Sequence, residues 1–239
     1  MQTRRGAVAV VVLAVLGLSA CSAADPQARP GTAPAAGRAA PEHLRDGLLT
    51  QDRLPKGFKL LTAEANLTTT GAPHTPSATP IASMPCKELG VNSFMTAHAA
   101  PAEDVAVGLE RTPVGDDDLG WFGQEALDRY GPGQAAAVMA AIRGAAQRCT
   151  SYTNTLTDGT RLQETVSVTA AAVPGDDSVL LRVTSTFPED AHTFVGVTGF
   201  VRVGDVIVMV QQIAEEKPSS DTEAVLAAAV SAYRAATGG

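Results

Sequence analysis

Signatures of common catalysis are missing from this sequence, and cysteine, histidine and clustered basic charge are scarce. There is no Gly-x-Ser-x-Gly elbow, His-Glu-x-x-His helix, Walker loop or Gly-x-Gly-x-x-Gly turn. The usual hydrolase, metalloprotease and nucleotide-binding arrangements therefore lack their residues, and no enzyme is expected. The four histidines, His43, His74, His98 and His192, stand far apart and are expected at the surface. The three cysteines form no Cys-x-x-Cys pair, which argues against a redox site of that type. Basic residues number 18 against 25 acidic ones and are scattered singly, whereas phosphate binding by counterion release needs clusters. Nucleic acid is not an expected partner. The carboxylates of Asp116, Asp117 and Asp118 suit a hard cation, but their spacing is not that of an EF-hand, and a solvated turn is the reading taken for them and for Asp176-Asp177. No metal or cofactor is implied.

What is present begins with a targeting segment. Arg4 and Arg5 precede an uncharged apolar run from Gly6 to Leu18, the pattern of a signal peptide. The run falls short of the roughly 20 residues that a spanning helix needs. It ends in Leu18-Ser19-Ala20-Cys21, which resembles the lipobox of bacterial lipoproteins. That resemblance implies cleavage after residue 20, a diacylglycerol on the Cys21 sulfur, and a chain held on the outer face of the cytoplasmic membrane. The competing reading is an ordinary secretory cleavage site. Each buried methylene of an acyl chain adds about 0.8 kcal/mol, so two or three chains hold a domain firmly. Loss of Arg4 and Arg5 would leave 16 basic against 25 acidic residues, a formal charge of −9 rather than −7. Such a domain is repelled by anionic lipid and needs its anchor.

Residues 21–41 combine the lipidated cysteine with Ala, Pro, Gly and Arg and no large apolar side chain, which is a flexible tether. Residues 42–239 fit one domain. A short helical pattern at His43–Leu49 leads to the turn Leu54-Pro55-Lys56-Gly57-Phe58, and Pro85–Leu89 reads as a second short helix. Asp104 to Arg111 and Trp121 to Tyr130 are strand candidates paired across the acidic turn. The clearest helix runs from about Pro132 to Arg148, with Val138, Ile142, Ala145 and Cys149 on one face. Strands follow at Leu162–Thr169, Val179–Phe187, Phe194–Val203 and Val206–Ile213, joined by hairpin turns. Ser220-Asp221-Thr222-Glu223 has the form of a capping box for a last helix. The expected class is α+β: one antiparallel sheet with helices packed mainly on one face.

With Cys21 lipidated, Cys86 and Cys149 remain as a pair, and export favours a disulfide between them. Two buried free thiols are the alternative. Leu48-Leu49 leading into Leu54-Pro55-Lys56-Gly57-Phe58, then Cys86, the run Tyr130-Gly131-Pro132-Gly133-Gln134-Ala135-Ala136 into a helix ending at Cys149, and the strand meander beyond carry a family resemblance. The sequence resembles the extracellular sensor-like domain of actinobacterial receptor-type serine/threonine kinases and of stand-alone lipoproteins. The resemblance implies a helix-flanked antiparallel sheet with a cleft for an unidentified ligand and no enzymatic activity. Two departures stand out: there is no second disulfide, and Ala146 and Arg148 stand where a tryptophan precedes the helix-terminal cysteine in that family.

The later strands are apolar on both sides. Val195, Val197, Val201 and Val203 share one face of theirs, and Phe194, Thr198 and Phe200 the other. In the next strand Val206, Val208 and Val210 stand opposite Ile207, Met209 and Ile213. A sheet wet on one side alternates apolar and polar residues, so a second covered surface or a cleft is expected, with loop 59–85 or the first helix as the competing cover. Candidate cleft residues are Trp121, Phe122, Glu164, Phe194, Phe200 and Met209, Glu164 being a carboxylate on an otherwise apolar strand face that needs water or a partner. The cleft is expected to take a small molecule, a cell-wall fragment or a partner. The alternative is an envelope-assembly role in which residues 194–213 dock another protein.

Overall fold

A computed structural model describes residues 43–61, 77–91, 94–189 and 191–238. The leader, Cys21, the tether and His74 lie outside the described residues. The elements in chain order are β1 (Phe58–Leu60), α1 (Phe94–His98), β2 (Glu103–Arg111), β3 (Trp121–Arg129), α2 (Gln134–Arg148), β4 (Ser151–Thr155), β5 (Arg161–Thr169), β6 (Asp177–Thr186), β7 (Thr193–Val203), β8 (Val206–Glu215) and α3 (Thr222–Ala236). Single 3-10 turns occupy Leu44–Gly47, Ile81–Ser83 and Cys86–Glu88.

The eight strands form one sheet in the order β1-β2-β3-β8-β7-β6-β5-β4, antiparallel at every pairing. The class is α+β, as the sequence implies. Short turns make β4 to β8 a continuous meander. From its last strand the ladder passes to β3, so Ala126 lies opposite Met209 and Leu127 opposite Val208. The two strands at the centre of that order are β8 and β7, and both carry consecutive buried residues, Val206–Val210 and Val197–Val201.

Helices α1 and α2 lie over one face of the sheet and α3 over the other. Side chains alternate along a strand, so neighbours such as Val208 and Met209 must enter different cores. One core joins Val208, Val210, Val201, Leu109 and Leu127 to Leu226, Val230 and Tyr233 of α3. The other joins Ile207, Met209, Phe200 and Leu181 to Met139, Ile142 and Ala145 of α2. The approach of α3 is close: a Cβ on Gly199 would stand 2.6 Å from the Leu226 Cδ2 atom. On β3, a Cβ at Gly123 would stand 1.9 Å from the Gln211 carbonyl oxygen, so only glycine fits there.

The capping box is corrected. Helix α3 begins one residue after Asp221, which makes no side-chain cap. Arg111 of β2 takes the Asp221 carboxylate instead, at 2.9 Å, and Glu223 accepts the Ala172 N–H at 2.7 Å. The same arginine holds Asp118, whose carboxylate also accepts N–H bonds from Val114 and Gly120. That set of donors, the guanidinium first, keeps the Asp118 carboxyl well below the usual carboxylate range. The acidic turn is thus a structural lock between β2 and the start of α3.

Candidate functional site

Helix α2 packs across β5, β6 and β7 toward one end of its sheet face. Beyond it, the same face forms the floor of a cavity of about 410 Å³. That volume falls within the range of small-molecule sites. The floor takes Phe122 and Gln124 from β3, Gln211 and Ile213 from β8, Thr198 from β7, Val183 and Ser185 from β6, and Glu164 from β5. Each has the strand parity of the α2 core residues farther along, such as Ala126, Met209, Phe200, Leu181 and Val166. Core and cavity are two halves of one surface.

The roof is the segment ending in Lys87, Gly90 and Val91. Four fastenings hold this strap. The disulfide between Cys86 and Cys149, with Cα atoms 5.4 Å apart, ties it to the end of α2. Arg148 donates to the carbonyls of Ala82 and Met84 at 3.2 and 2.7 Å. His98 on α1 binds the Thr79 carbonyl through Nδ1 and the Glu88 carboxylate through Nε2, both at 2.6 Å. The Gln211 amide donates to the Gly90 carbonyl at 3.3 Å, joining strap to floor.

The most built polar group of the floor is Glu164, which is 6 % exposed. Its register partner on β4 is Tyr152, and its partner on β6 is Ser185. The Tyr152 hydroxyl donates to Glu164 Oε2, and the Asn154 amide donates to Oε1 at 2.9 Å. Burial, and then the bond to Glu164, pushes the Tyr152 hydroxyl pKa up, so it stays a donor. Across the floor Gln124, 7 % exposed, leaves its Oε1 buried with no hydrogen-bond partner.

The six sequence candidates separate. Phe122 and Glu164 line the cavity. Trp121 does not: next to Phe122 on a strand, it must point to the opposite face. There it is 1 % exposed, meets the Phe58 ring edge-on at 5.4 Å, and donates from Nε1 to Thr222 Oγ1 at 3.2 Å. Phe200 and Met209 share the cavity's face but lie under the helices, Phe200 edge-on to Phe94 of α1 at 6.1 Å. Phe194 packs edge-on against Phe187 at the start of β7 and does not line the cavity. Sequence reading missed Gln124, Thr198, Ser185 and Asn154; a polar residue on a half-apolar face was their one signal.

No histidine lines the cavity among the described residues: His98 is engaged with Glu88 and Thr79, and His192 pairs with Glu216 at 3.1 Å. Glu164 and Ser185 thus meet without the histidine that would turn the serine into a nucleophile. Two acids lie buried elsewhere on β3. Burial pushes Glu125 up to about 8, and burial with the nearby Asp104 charge pushes Asp128 up to about 7. Among the described residues no helix is long and apolar enough to cross a membrane.

No protein-family model matches the sequence, and a search of curated proteins found no match. Among solved structures the chain is similar to the extracellular domain of PknH from Mycobacterium tuberculosis, with a TM-score of 0.49 and 12 % identity, covering 79 % of this chain and 98 % of that one.

Proposed function

We propose that this chain is an exported, lipid-anchored binding protein whose α+β domain holds a small ligand in the cavity under the 77–91 strap, without catalysis. The observation that carries the reading is the cavity itself: a concave, mixed floor crossing five strands, with a buried carboxylate held in place by two donors. Preorganised polar groups in an apolar recess are what fix a small ligand's orientation. The Cys86–Cys149 bridge supports an oxidising compartment outside the cytoplasm. The anchor at Cys21 rests on the lipobox-like sequence.

The docking alternative needs a flat apolar patch. Most apolar residues from 194 to 213 are instead divided between the two cores and the cavity, Phe194 packs on Phe187, and of the exposed large residues Val91 and Ile213 line that cavity rather than a flat patch. The test is native mass spectrometry of the exported full chain purified without denaturant, beside labelled-palmitate incorporation into the wild type and Cys21→Ser. A discrete retained mass and label lost in the variant are expected. A bare chain that takes up nothing from envelope extract would overturn the binding reading, and equal label in both chains would overturn the anchor.

A further inference from the structure

The two buried acceptors of the floor say what the ligand brings, given the binding reading above. Glu164 is a nearly buried carboxylate whose hydrogen-bond partners, Tyr152 and Asn154, are both neutral. A carboxylate so placed gains most from a positive charge in the same low-dielectric recess. Across the floor, the Gln124 Oε1 atom is a buried acceptor with no donor. An unmet acceptor of this kind carries an unrecovered desolvation cost, and a ligand N–H relieves it. The other charged residue lining the cavity, Lys87, is exposed on the roof, and the hydrogen bonds of Glu164 go to Tyr152 and Asn154.

These acceptors are well separated. Strands β3 and β5 are four pairings apart in the sheet order. At about 4.8 Å per pairing the two strands stand up to roughly 19 Å apart across the sheet, and the registers run from Gln124 through Gln211, Thr198 and Leu181 to Val168, so Glu164 lies four residues farther along β5 and the acceptors face each other diagonally. Both ends accept hydrogen bonds, and the middle is bordered by Thr198, Gln211, Val183 and Ile213. The excess of acidic over basic residues, 25 against 18 in the whole sequence, also draws cations toward the domain.

We infer that the cavity takes an elongated organic amine, its ammonium group on Glu164 and a second N–H donor on the Gln124 Oε1 atom. A hydroxyl-rich neutral ligand would satisfy Gln124 but leave Glu164 without a counter-charge.

The test is isothermal titration calorimetry of the full chain with spermidine and spermine, against a neutral linear oligosaccharide and a linear dicarboxylate. The amines are expected to bind and the other two not. Glu164→Gln is expected to weaken the amines by about ten- to a hundredfold, the loss of one charge-assisted bond. Gln124→Leu provides a second variant at the other end of the floor, with a loss of about tenfold. Gly196→Phe fills the cavity from a position where the atom nearest to an added Cβ is the Ala214 Cβ, at an ordinary contact distance of 3.6 Å, and is expected to abolish binding. Oligosaccharide binding that Gly196→Phe abolishes, without amine binding, overturns the amine assignment and leaves the cavity reading standing. Amine affinity unchanged in Gly196→Phe overturns both.

Discussion

Glu125 makes the stability of this domain depend on pH in a direction opposite to that of most carboxylates. The side chain is fully buried on β3; Oε2 accepts the Leu49 N–H at 2.8 Å and Oε1 has no partner. Desolvation raises its pKa from 4.5 to about 8, outweighing the Leu49 bond. Below pH 4.5 both folded and unfolded chains hold the proton. Between 4.5 and 8 the unfolded chain releases it while the folded chain keeps it, so the folded state binds more protons and stability falls as pH rises. Each pKa unit corresponds to about 1.4 kcal/mol, so the loss is on the order of 3–5 kcal/mol across that window, with no further change above pH 8 from this group. Glu125→Gln keeps an oxygen for Leu49 and removes the titration. Urea unfolding at pH 5, 6, 7 and 8 should show a wild-type midpoint that falls with pH and a much flatter variant. Asp128, raised to about 7, leaves a residual slope of the same sign up to that pH. Parallel curves for wild type and variant, offset by a constant, would refute the assignment.

Reducing the Cys86–Cys149 bridge releases a 63-residue separation and is expected to cost about 4 kcal/mol on the loop-entropy model, seen as a melting temperature lower by roughly 10 °C. An unchanged melting temperature after verified reduction would count against it. Tyr152→Phe removes a donor from the buried Glu164 carboxylate and is expected to destabilise by about 1–3 kcal/mol in urea unfolding, with no loss if Glu164 is in fact solvated. The chain's one tryptophan, Trp121, is buried on the face opposite the cavity. Its emission should be blue-shifted, resistant to iodide and unaltered by a ligand in the cavity; iodide quenching that the ligand relieves would place Trp121 at the site.

What the sequence makes legible follows from which signals are one-sided. Helix α2 announces itself because Val138, Ile142, Ala145 and Cys149 define a single stripe against Gln134, Arg143 and Arg148. The meander is clear from its turns. Strand β8 is the opposite case: Val206 to Val210 are all buried, so the strand has no polar side to say where the helices lie. The pattern therefore predicts a second covered surface without saying which helix covers which side. Adjacent Trp121 and Phe122 were both cleft candidates, although the alternation of a strand allows only one of them on each face. Glu164 was legible as a carboxylate on an apolar strand face. Its partners were not, because β4, Ser-Tyr-Thr-Asn-Thr, is a short polar edge strand with no apolar alternation. Ser220-Asp221-Thr222-Glu223 has the letters of a cap, but Arg111 from 110 residues away takes the aspartate, a contact no local pattern encodes.

Backbone amide NMR of the labelled chain, with the retained compound or spermidine titrated in, tests most directly whether the cavity is the binding site. Shifts concentrated at Gln124, Glu164, Ser185, Thr198 and Gly90 are the expected result. Shifts concentrated instead around Trp121, Leu226 and Tyr233 on the α3 face, or none at saturating compound, would contradict it.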